Sequence, residues 1–203
     1  MRQPQLTKLS LSENQIASCA NFNGHTRVMI LNLSKNKLTK CEGLCHMPGL
    51  EELNLSENEI ANCEDLKNCP SLRVLNLGTN KVPTLEQLQS FPALQELDVS
   101  ANQVAAPQSI AHLKQYKKLS KLALAGNPMD ETLSGGLKQE CLFRLHPYIK
   151  LKVVGEDEIT EEDIGEWKTQ RKERIKAEEE ALRLAAEKAA NPEPAEAAEE
   201  EAE

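Results

Sequence analysis

Hydrophobic residues along the first two thirds of the chain recur in a fixed order, with polar residues between them. In residues 50–60 the order is L-x-x-L-x-L-x-x-N-x-I, and the same skeleton occurs six times. The asparagines of the first five copies are 22 residues apart, and the asparagine of the sixth copy follows 25 residues after the fifth. A fixed period of this length indicates units that bury their hydrophobic faces only by stacking on one another. The six asparagines are Asn14, Asn36, Asn58, Asn80, Asn102 and Asn127.

Each copy predicts a short strand followed by a return. The L-x-L segment predicts a strand whose leucines point to one side and whose neighbours point to the other. After the asparagine, apolar residues recur at every third position, as at Ile60, Cys63 and Leu66, which predicts a 3₁₀ or loosely helical return. The predicted fold class is therefore α/β, a solenoid with a concave parallel β-sheet, short 3₁₀ or helical convex returns, a C-terminal helical cap and a long extended helix.

The recurring asparagine has a structural explanation. Its amide can both donate and accept hydrogen bonds, so stacked asparagines can satisfy backbone groups left unpaired where the chain leaves each strand. We therefore predict an asparagine ladder with no catalytic role.

The pattern divides the chain into four parts. Residues 1–129 hold six repeats, and residues 130–155 form a cap around a helix predicted over 137–145, whose apolar residues share one face. Residues 156–190 are rich in helix formers and free of proline, which predicts a long charged helix. Residues 191–203 predict a disordered acidic tail.

The first repeat has an apolar edge at Leu6, Leu9, Leu11 and Phe22. A terminal repeat normally needs a polar outer face, since it has a neighbour on one side only. Three explanations stay open: a truncated sequence, a short N-terminal flap, or a second chain that covers the edge.

Strand residues that point away from the core define a candidate binding face. Most of them are small or polar, so we expect a shallow surface that admits a helix or an extended segment of a partner. A solvated sheet face has the same composition and remains the alternative. The candidate partner-binding residues on this face are Glu52, Asn54, Asn76, Glu96 and Asp98.

The long helix carries two further candidates. Trp167 is the only tryptophan and would be the anchor if this helix docks on a partner, although packing on the cap is an equal alternative. A basic cluster spans Lys168–Lys176 and could contact an acidic surface such as tubulin, whereas a solvated helix face is the simpler interpretation. The cluster comprises Lys168, Arg171, Lys172, Arg174 and Lys176.

Charge is distributed unevenly. Residues 1–155 carry 17 Lys+Arg and 14 Asp+Glu, whereas residues 156–203 carry 7 and 18. Because residues 1–155 are so close to neutral, they offer no strongly basic surface for a phosphate backbone, and we expect no nucleic-acid partner. No apolar run is long enough for a signal peptide or a membrane span, so we expect a cytoplasmic protein without a membrane partner.

Metal binding, cofactor binding and catalysis are not indicated. Cys19, Cys41 and Cys63 lie one repeat apart in an apolar position, and no cysteine or histidine has metal-ligand spacing. His25 shares a repeat position with Met47 and is expected near the core. No phosphate-binding loop, dinucleotide turn or G-x-S-x-G occurs, so we predict no cofactor and no enzyme activity.

The 22-residue form, L-x-x-L-x-L-x-x-N-x-I-x-x-I-x-x-L-x-x-L-x-x, resembles short intracellular leucine-rich repeats. These are the repeats of the class that includes the protein-phosphatase-1 regulator, U2 small nuclear ribonucleoprotein A′ and axonemal dynein light chain. The resemblance implies a curved solenoid that holds another protein.

The C-terminal half narrows the resemblance. The L-x-L-A-G-N-P-M-D-E-T ending of the last repeat, the cap helix, the EDEITEED turn and the charged helix resemble leucine-rich repeat proteins of axonemal radial spokes. This implies a non-catalytic adaptor or structural subunit in the cilium or flagellum, with axonemal or radial-spoke proteins as partners. The alternative is a regulatory subunit of an enzyme such as a phosphatase, or a nuclear adaptor.

Overall fold

A computed structural model describes residues 6–20, 22, 25–44, 47–67, 69–88, 91–133 and 135–190. The chain falls into two compact units, Met1–Glu161 and Glu162–Glu203. The first unit contains the repeats and the cap.

The first unit is built on one sheet of eight strands, β1 to β8, which lie side by side in chain order. Six strands of three residues each supply one strand per repeat, and neighbouring repeat strands are parallel. The register places the central leucine of each strand beside that of the next, as with Leu53 and Leu75. The predicted solenoid with a parallel sheet is confirmed. The repeat strands are β1 Lys8–Ser10, β2 Ile30–Asn32, β3 Glu52–Asn54, β4 Val74–Asn76, β5 Glu96–Asp98 and β6 Lys121–Ala123.

The returns from the Asn positions contain turns and three 3₁₀ helices. These helices are Leu85–Gln87, Pro107–Gln115 and Pro128–Thr132. Between the sheet and the returns lies a continuous core, in which the central strand leucines from Leu31 to Leu122 are buried. The i+3 spacing of the 3₁₀ geometry explains why apolar residues recur at every third position there.

Five cysteines of the described residues are free thiols buried in this core. Burial, with smaller contributions from Glu140 and Asp130, raises the pKa of Cys141 to about 12. The thiolate, which is the reactive and metal-binding form, is therefore disfavoured at neutral pH. The five residues are Cys19, Cys41, Cys63, Cys69 and Cys141.

The prediction that His25 lies near the core is wrong. His25 is exposed, and its ring centroid lies 4.6 Å from that of Phe22. Within the described residues no repeat precedes the first one, so its return packs on one side only. The apolar edge is partly covered: Leu6 is 47% exposed, while Leu9 and Leu11 pack against the core.

The cap contains a helix and two strands. Helix α1 spans Gly136–Leu145 and buries Cys141, Leu142 and Leu145. Strand β7, Val153–Val154, then pairs in parallel with β6, and β8, Asp157–Glu158, pairs antiparallel with β7. The sheet thus continues beyond the six predicted repeats. Its last two strands lie in residues that were predicted to form the helical cap and the long helix.

Helix α2 spans Glu161–Ala190 and makes up the described part of the second unit. No helix among the described residues is long and apolar enough to cross a membrane. The predicted acidic tail, residues 191–203, lies outside the described residues.

A left-handed backbone residue precedes each ladder asparagine. Five of these residues are not glycine and have φ between 50° and 58°, whereas the sixth is Gly126 with φ of 78°. Left-handed backbone costs an L-residue about 1–2 kcal/mol, because Cβ crowds the following carbonyl oxygen. The five non-glycine residues are Glu13, Lys35, Glu57, Thr79 and Ala101.

Replacing Thr79 with glycine is therefore expected to stabilise the protein by about 0.5–1 kcal/mol, because the relief of strain exceeds the entropy that glycine loses on folding. The matched control is Gln103→Gly at an exposed position outside this left-handed set, where a loss of about 0.5–1 kcal/mol is expected. Thermal unfolding of the two variants measures both effects. Equal destabilisation by both variants would contradict the strain assigned to Thr79.

Candidate protein-binding face

The side chains that flank the central leucine of each repeat strand form two columns on the outer side of the sheet. We call this surface, made of the two columns, the open sheet face. Parallel register aligns the columns directly, because each residue lies beside its counterpart one repeat later. The first column is Lys8, Ile30, Glu52, Val74, Glu96 and Lys121, and the second is Ser10, Asn32, Asn54, Asn76, Asp98 and Ala123.

The five predicted partner-binding residues of the sheet lie together on β3, β4 and β5. Asn54 is beside Asn76, and Asn76 is beside Asp98, so they form an unbroken row. Glu52 and Glu96 lie on either side of Val74 in the other column. Neighbouring strands are about 4.8 Å apart, so the five side chains fall within one contact patch of a partner helix or strand.

Hydrogen bonds to the backbone fix the row of amide and carboxylate side chains. Asn54 Oδ1 accepts from the Ser56 N–H at 3.0 Å, and Asn76 Oδ1 accepts from the Gly78 N–H at 2.9 Å. Asp98 Oδ1 accepts from both the N–H and the Oγ–H of Ser100, at 2.9 and 2.6 Å. These side chains are therefore ordered before any partner arrives, which lowers the entropy cost of binding.

Gly78 lies beside the middle of this row and is buried. A Cβ atom at Gly78 would lie 3.2 Å from Asn76 Oδ1 and Ser100 Oγ, and 3.3 Å from Asp98 Oδ2. The neighbouring repeats carry Ser56 and Ser100 at this position. A side chain at Gly78 would crowd these three oxygens, so glycine allows Asn76, Ser100 and Asp98 to lie close together.

The centre of the open sheet face is acidic. Glu52, Glu96 and Asp98 lie on β3 and β5, whereas the lysines of the two columns lie further out, on β1 and β6. Lys121 Nζ forms an ion pair with Glu96 Oε1 at 3.0 Å across the β5–β6 boundary. Glu52 and Asp98 form no ion pair with any described residue. A partner that offers a basic or donor-rich surface matches this centre.

The ladder asparagines lie behind this face, within the turns. Asn58 is buried; its Oδ1 accepts from the Leu38 N–H at 3.1 Å, and its Nδ2 donates to the carbonyls of Leu33 and Leu55 at 3.0 and 2.9 Å. Equivalent bonds from one repeat to the one before it are made by Asn36, Asn80, Asn102 and Asn127. Asn14 is exposed and bonds within its own turn, to the Leu11 and Ser12 carbonyls.

Trp167 lies on α2, in the second unit. The Arg171 guanidinium carbon is 5.2 Å from the centroid of the Trp167 ring, within the range of a cation–π contact. Lys168, Lys172 and Lys176 of the predicted basic cluster are exposed, and the side chain of Arg174 lies outside the described part of the chain. Partner binding by Trp167 and contact of this cluster with tubulin stay predictions.

Among the described residues, no group of three or more His, Cys, Asp or Glu side chains could hold a metal ion.

Comparison with known proteins agrees with the fold. Residues 4–60 match a family model described as leucine rich repeat, and residues 48–90 match one described as leucine rich repeats in two copies. No curated protein matches the chain. The solved internalin inlF from Listeria monocytogenes is 20% identical, covers 73% of this chain and superposes with a TM-score of 0.53.

Internalin C2 from the same organism is 24% identical over 61% of this chain, with a TM-score of 0.47. The chain spans 47% and 63% of these two structures, so it covers less than two thirds of either. The likeness to inlF, at 20% identity, supports a shared fold and nothing further. Neither matching family model describes a catalytic domain.

Leucine-rich repeats imply a protein-interaction role, and partner binding by the open sheet face stays a prediction. Residues 4–90 match leucine-rich-repeat models in sequence, and the first unit folds as a leucine-rich-repeat solenoid.

Proposed function

We propose that the protein is a non-catalytic adaptor that binds a protein partner on its open sheet face and serves as a structural subunit of the ciliary axoneme, associated with radial spokes. The observation that carries the binding part is the row of Asn54, Asn76 and Asp98, which backbone hydrogen bonds hold in place on β3, β4 and β5. Ordered polar groups provide both specificity and a low entropy cost of binding.

The chemistry of the face indicates what the partner presents. The acidic centre at Glu52, Glu96 and Asp98 favours a helix or extended segment with lysine or arginine side chains. An amine from such a segment would form charge-assisted hydrogen bonds with these carboxylates. Charge-assisted bonds of this kind are about twice as strong as neutral ones.

The ciliary part of the proposal is supported by sequence resemblance. Residues 94–203 resemble the radial-spoke-associated leucine-rich repeat-containing protein 23, through the A-G-N-P-M-D-E-T ending of the last repeat and the charged helix that follows the cap. On this basis we place the protein in the cytoplasm, at the axoneme of a cilium or flagellum. Its partners would be axonemal or radial-spoke subunits, with tubulin a further contact of the basic cluster on α2.

Charge reversal on the open sheet face tests the binding site. In the Glu52→Arg/Glu96→Arg variant, recovery of partners by the tagged chain from ciliated cells should fall about tenfold or more, which corresponds to about 1.4 kcal/mol. The matched control, Glu64→Arg/Glu86→Arg, makes the same charge change at exposed positions of the returns and should recover partners within about twofold of the wild type. Quantitative mass spectrometry of the captured proteins measures both.

The identity of the captured proteins tests the ciliary assignment separately. Axonemal or radial-spoke proteins lost only in the sheet variant support the whole proposal. A phosphatase or a set of nuclear proteins would replace the ciliary assignment with the regulatory alternative. A chain ending at Thr160 keeps β8 and removes α2; if it loses all partners while the sheet variant keeps them, binding belongs to α2 and the open sheet face is not the site.

A further inference from the structure

Lysines gather around one exposed tyrosine on the cap. Tyr148 is 52% exposed, and the Nζ atoms of Lys114 and Lys117 lie 4.7 and 5.7 Å from the centroid of its ring. Both distances allow a cation–π contact, so a single ring holds two positive charges close together. Tyr148 precedes β7, whereas Lys114 lies near the end of the 3₁₀ helix Pro107–Gln115 and Lys117 lies in the turn that follows it.

Strand pairing brings further lysines to the same place. The Lys152 N–H donates to the Ser120 carbonyl at 2.8 Å, which sets the segment before β7 alongside the segment before β6. Lys150 lies two residues before Lys152, and Lys118 lies in the turn two residues before Ser120, so both belong to the segments that this hydrogen bond joins. We call the five residues around Tyr148 the cap lysine cluster: Lys114, Lys117, Lys118, Lys150 and Lys152.

The positive charge of this cluster is not balanced locally. No described carboxylate forms an ion pair with any of its five lysines. Glu158 on β8 lies beside Val153 and forms no such pair. Like charges held together in this way repel one another, and an incoming anionic group removes that repulsion.

We propose that the cap lysine cluster is a second interaction surface, separate from the open sheet face, which binds an acidic peptide segment of a partner protein. The lysines of the two joined segments lie on the same part of the cap and can together contact the carboxylates of an extended chain. The ring of Tyr148 forms the base of this surface and keeps the two nearest lysines in place.

A short acidic segment fits better than a nucleic acid. Charges in water interact over about 8 Å at physiological ionic strength, so a short peptide senses the cluster alone. A nucleic acid extends much further, over a region whose charge is nearly balanced, because residues 1–155 carry 17 Lys+Arg and 14 Asp+Glu. Nucleic-acid surfaces of this kind also stack bases on aromatic rings, whereas the ring of Tyr148 is already engaged by Lys114 and Lys117.

Fluorescence anisotropy with the full chain tests this proposal. The probe is a fluorescein-labelled peptide of about 12 residues that alternates glutamate with alanine, titrated at roughly 50 and 200 mM salt, between which screening should weaken binding. The Lys117→Glu/Lys118→Glu/Lys150→Glu variant is expected to bind about tenfold or more weakly than the wild type. The control Lys37→Glu/Lys40→Glu/Lys67→Glu makes the same charge change at exposed positions in other repeats, and its affinity should stay within about twofold.

Three results would overturn the proposal. The first is equal weakening by both triple variants, which would show a general charge effect. The second is the absence of saturable binding by the wild type. The third is tighter binding of an oligothymidine of equal charge, lost in the same cluster variant, which would make a nucleic acid the occupant. Circular dichroism of both variants checks that each is folded.

Discussion

Replacing Phe91 with alanine is expected to lower the free energy of unfolding by about 3–5 kcal/mol, the largest effect that we predict for a single substitution. Phe91 is fully buried in the return of its repeat, and its ring centroid lies 6.2 Å from that of Tyr116 one repeat later. Tyr116 is itself held in place, since its Oη–H donates to the Leu88 carbonyl at 3.2 Å. The site therefore cannot collapse easily around the cavity, and a cavity that persists costs most.

The matched control for this substitution is Phe22→Ala. Phe22 packs against the core but is only partly buried, at the edge of the first repeat. Its removal should cost less than half as much, about 1–2 kcal/mol, because less apolar surface returns to water. Urea unfolding of the full chain, followed by circular dichroism, measures both variants. Equal losses would show that burial between repeats does not determine stability here.

The Phe91 substitution also tests how the repeats depend on one another. Each repeat of a solenoid contacts only its neighbours, so a defect at one interface weakens the coupling on either side of it. We expect the unfolding transition of Phe91→Ala to be broader than that of the wild type. A transition of unchanged slope would indicate that the repeats still unfold as one unit.

The strict period explains how much of the fold could be predicted from sequence. With a spacing of 22 residues, positions one period apart become neighbours on adjacent strands, as Asn54 and Asn76 do. The parallel sheet and the composition of the open sheet face follow from this relation alone. The backbone hydrogen bonds that hold Asn54 and Asn76 could not be predicted in this way. The period identifies which residues are neighbours, but it does not give the conformation of each side chain.

Outside the periodic part of the chain, less of the fold could be predicted from the sequence. Strands β7 and β8 were missed because they lie in the stretch assigned to a helical cap and the start of the long helix. A signal was present: Ile149, Leu151 and Val153 alternate with lysines, which is a strand pattern. The prediction for His25 failed for a different reason, because it treated the first repeat as though a neighbour covered both of its sides.

The cap lysine cluster depends on this missed pairing. Lys118 and Lys150 are separated by 32 residues in the sequence, a distance that is not a multiple of the repeat. The segments that carry them are joined only because β7 pairs with β6. The charge pattern along the sequence instead indicated the basic stretch on α2, whose five basic residues lie within nine positions. A charge cluster formed by tertiary contact leaves no such pattern in the sequence.

Replacing Asn58 with alanine is expected to cost about 2–4 kcal/mol, because the ladder asparagine serves buried backbone groups of two repeats at once. The Leu38 N–H loses the Asn58 Oδ1 acceptor and is left unsatisfied in the core. The Leu33 carbonyl loses one of two donors and keeps the bond from Asn36. The orphaned N–H therefore accounts for most of the loss, since a buried donor without an acceptor costs about 1–3 kcal/mol.

The chain supplies its own control in Asn14. This asparagine is exposed and bonds only to carbonyls of its own turn, so Asn14→Ala should cost less than about 1 kcal/mol. Amide hydrogen exchange gives a second, local measurement: protection of the Leu38 N–H should fall in Asn58→Ala and stay unchanged in Asn14→Ala. If the two variants lose equal stability, or if Leu38 keeps its protection, then the ladder does not join the repeats. The repeats would then be held together by the stacking of the leucines alone.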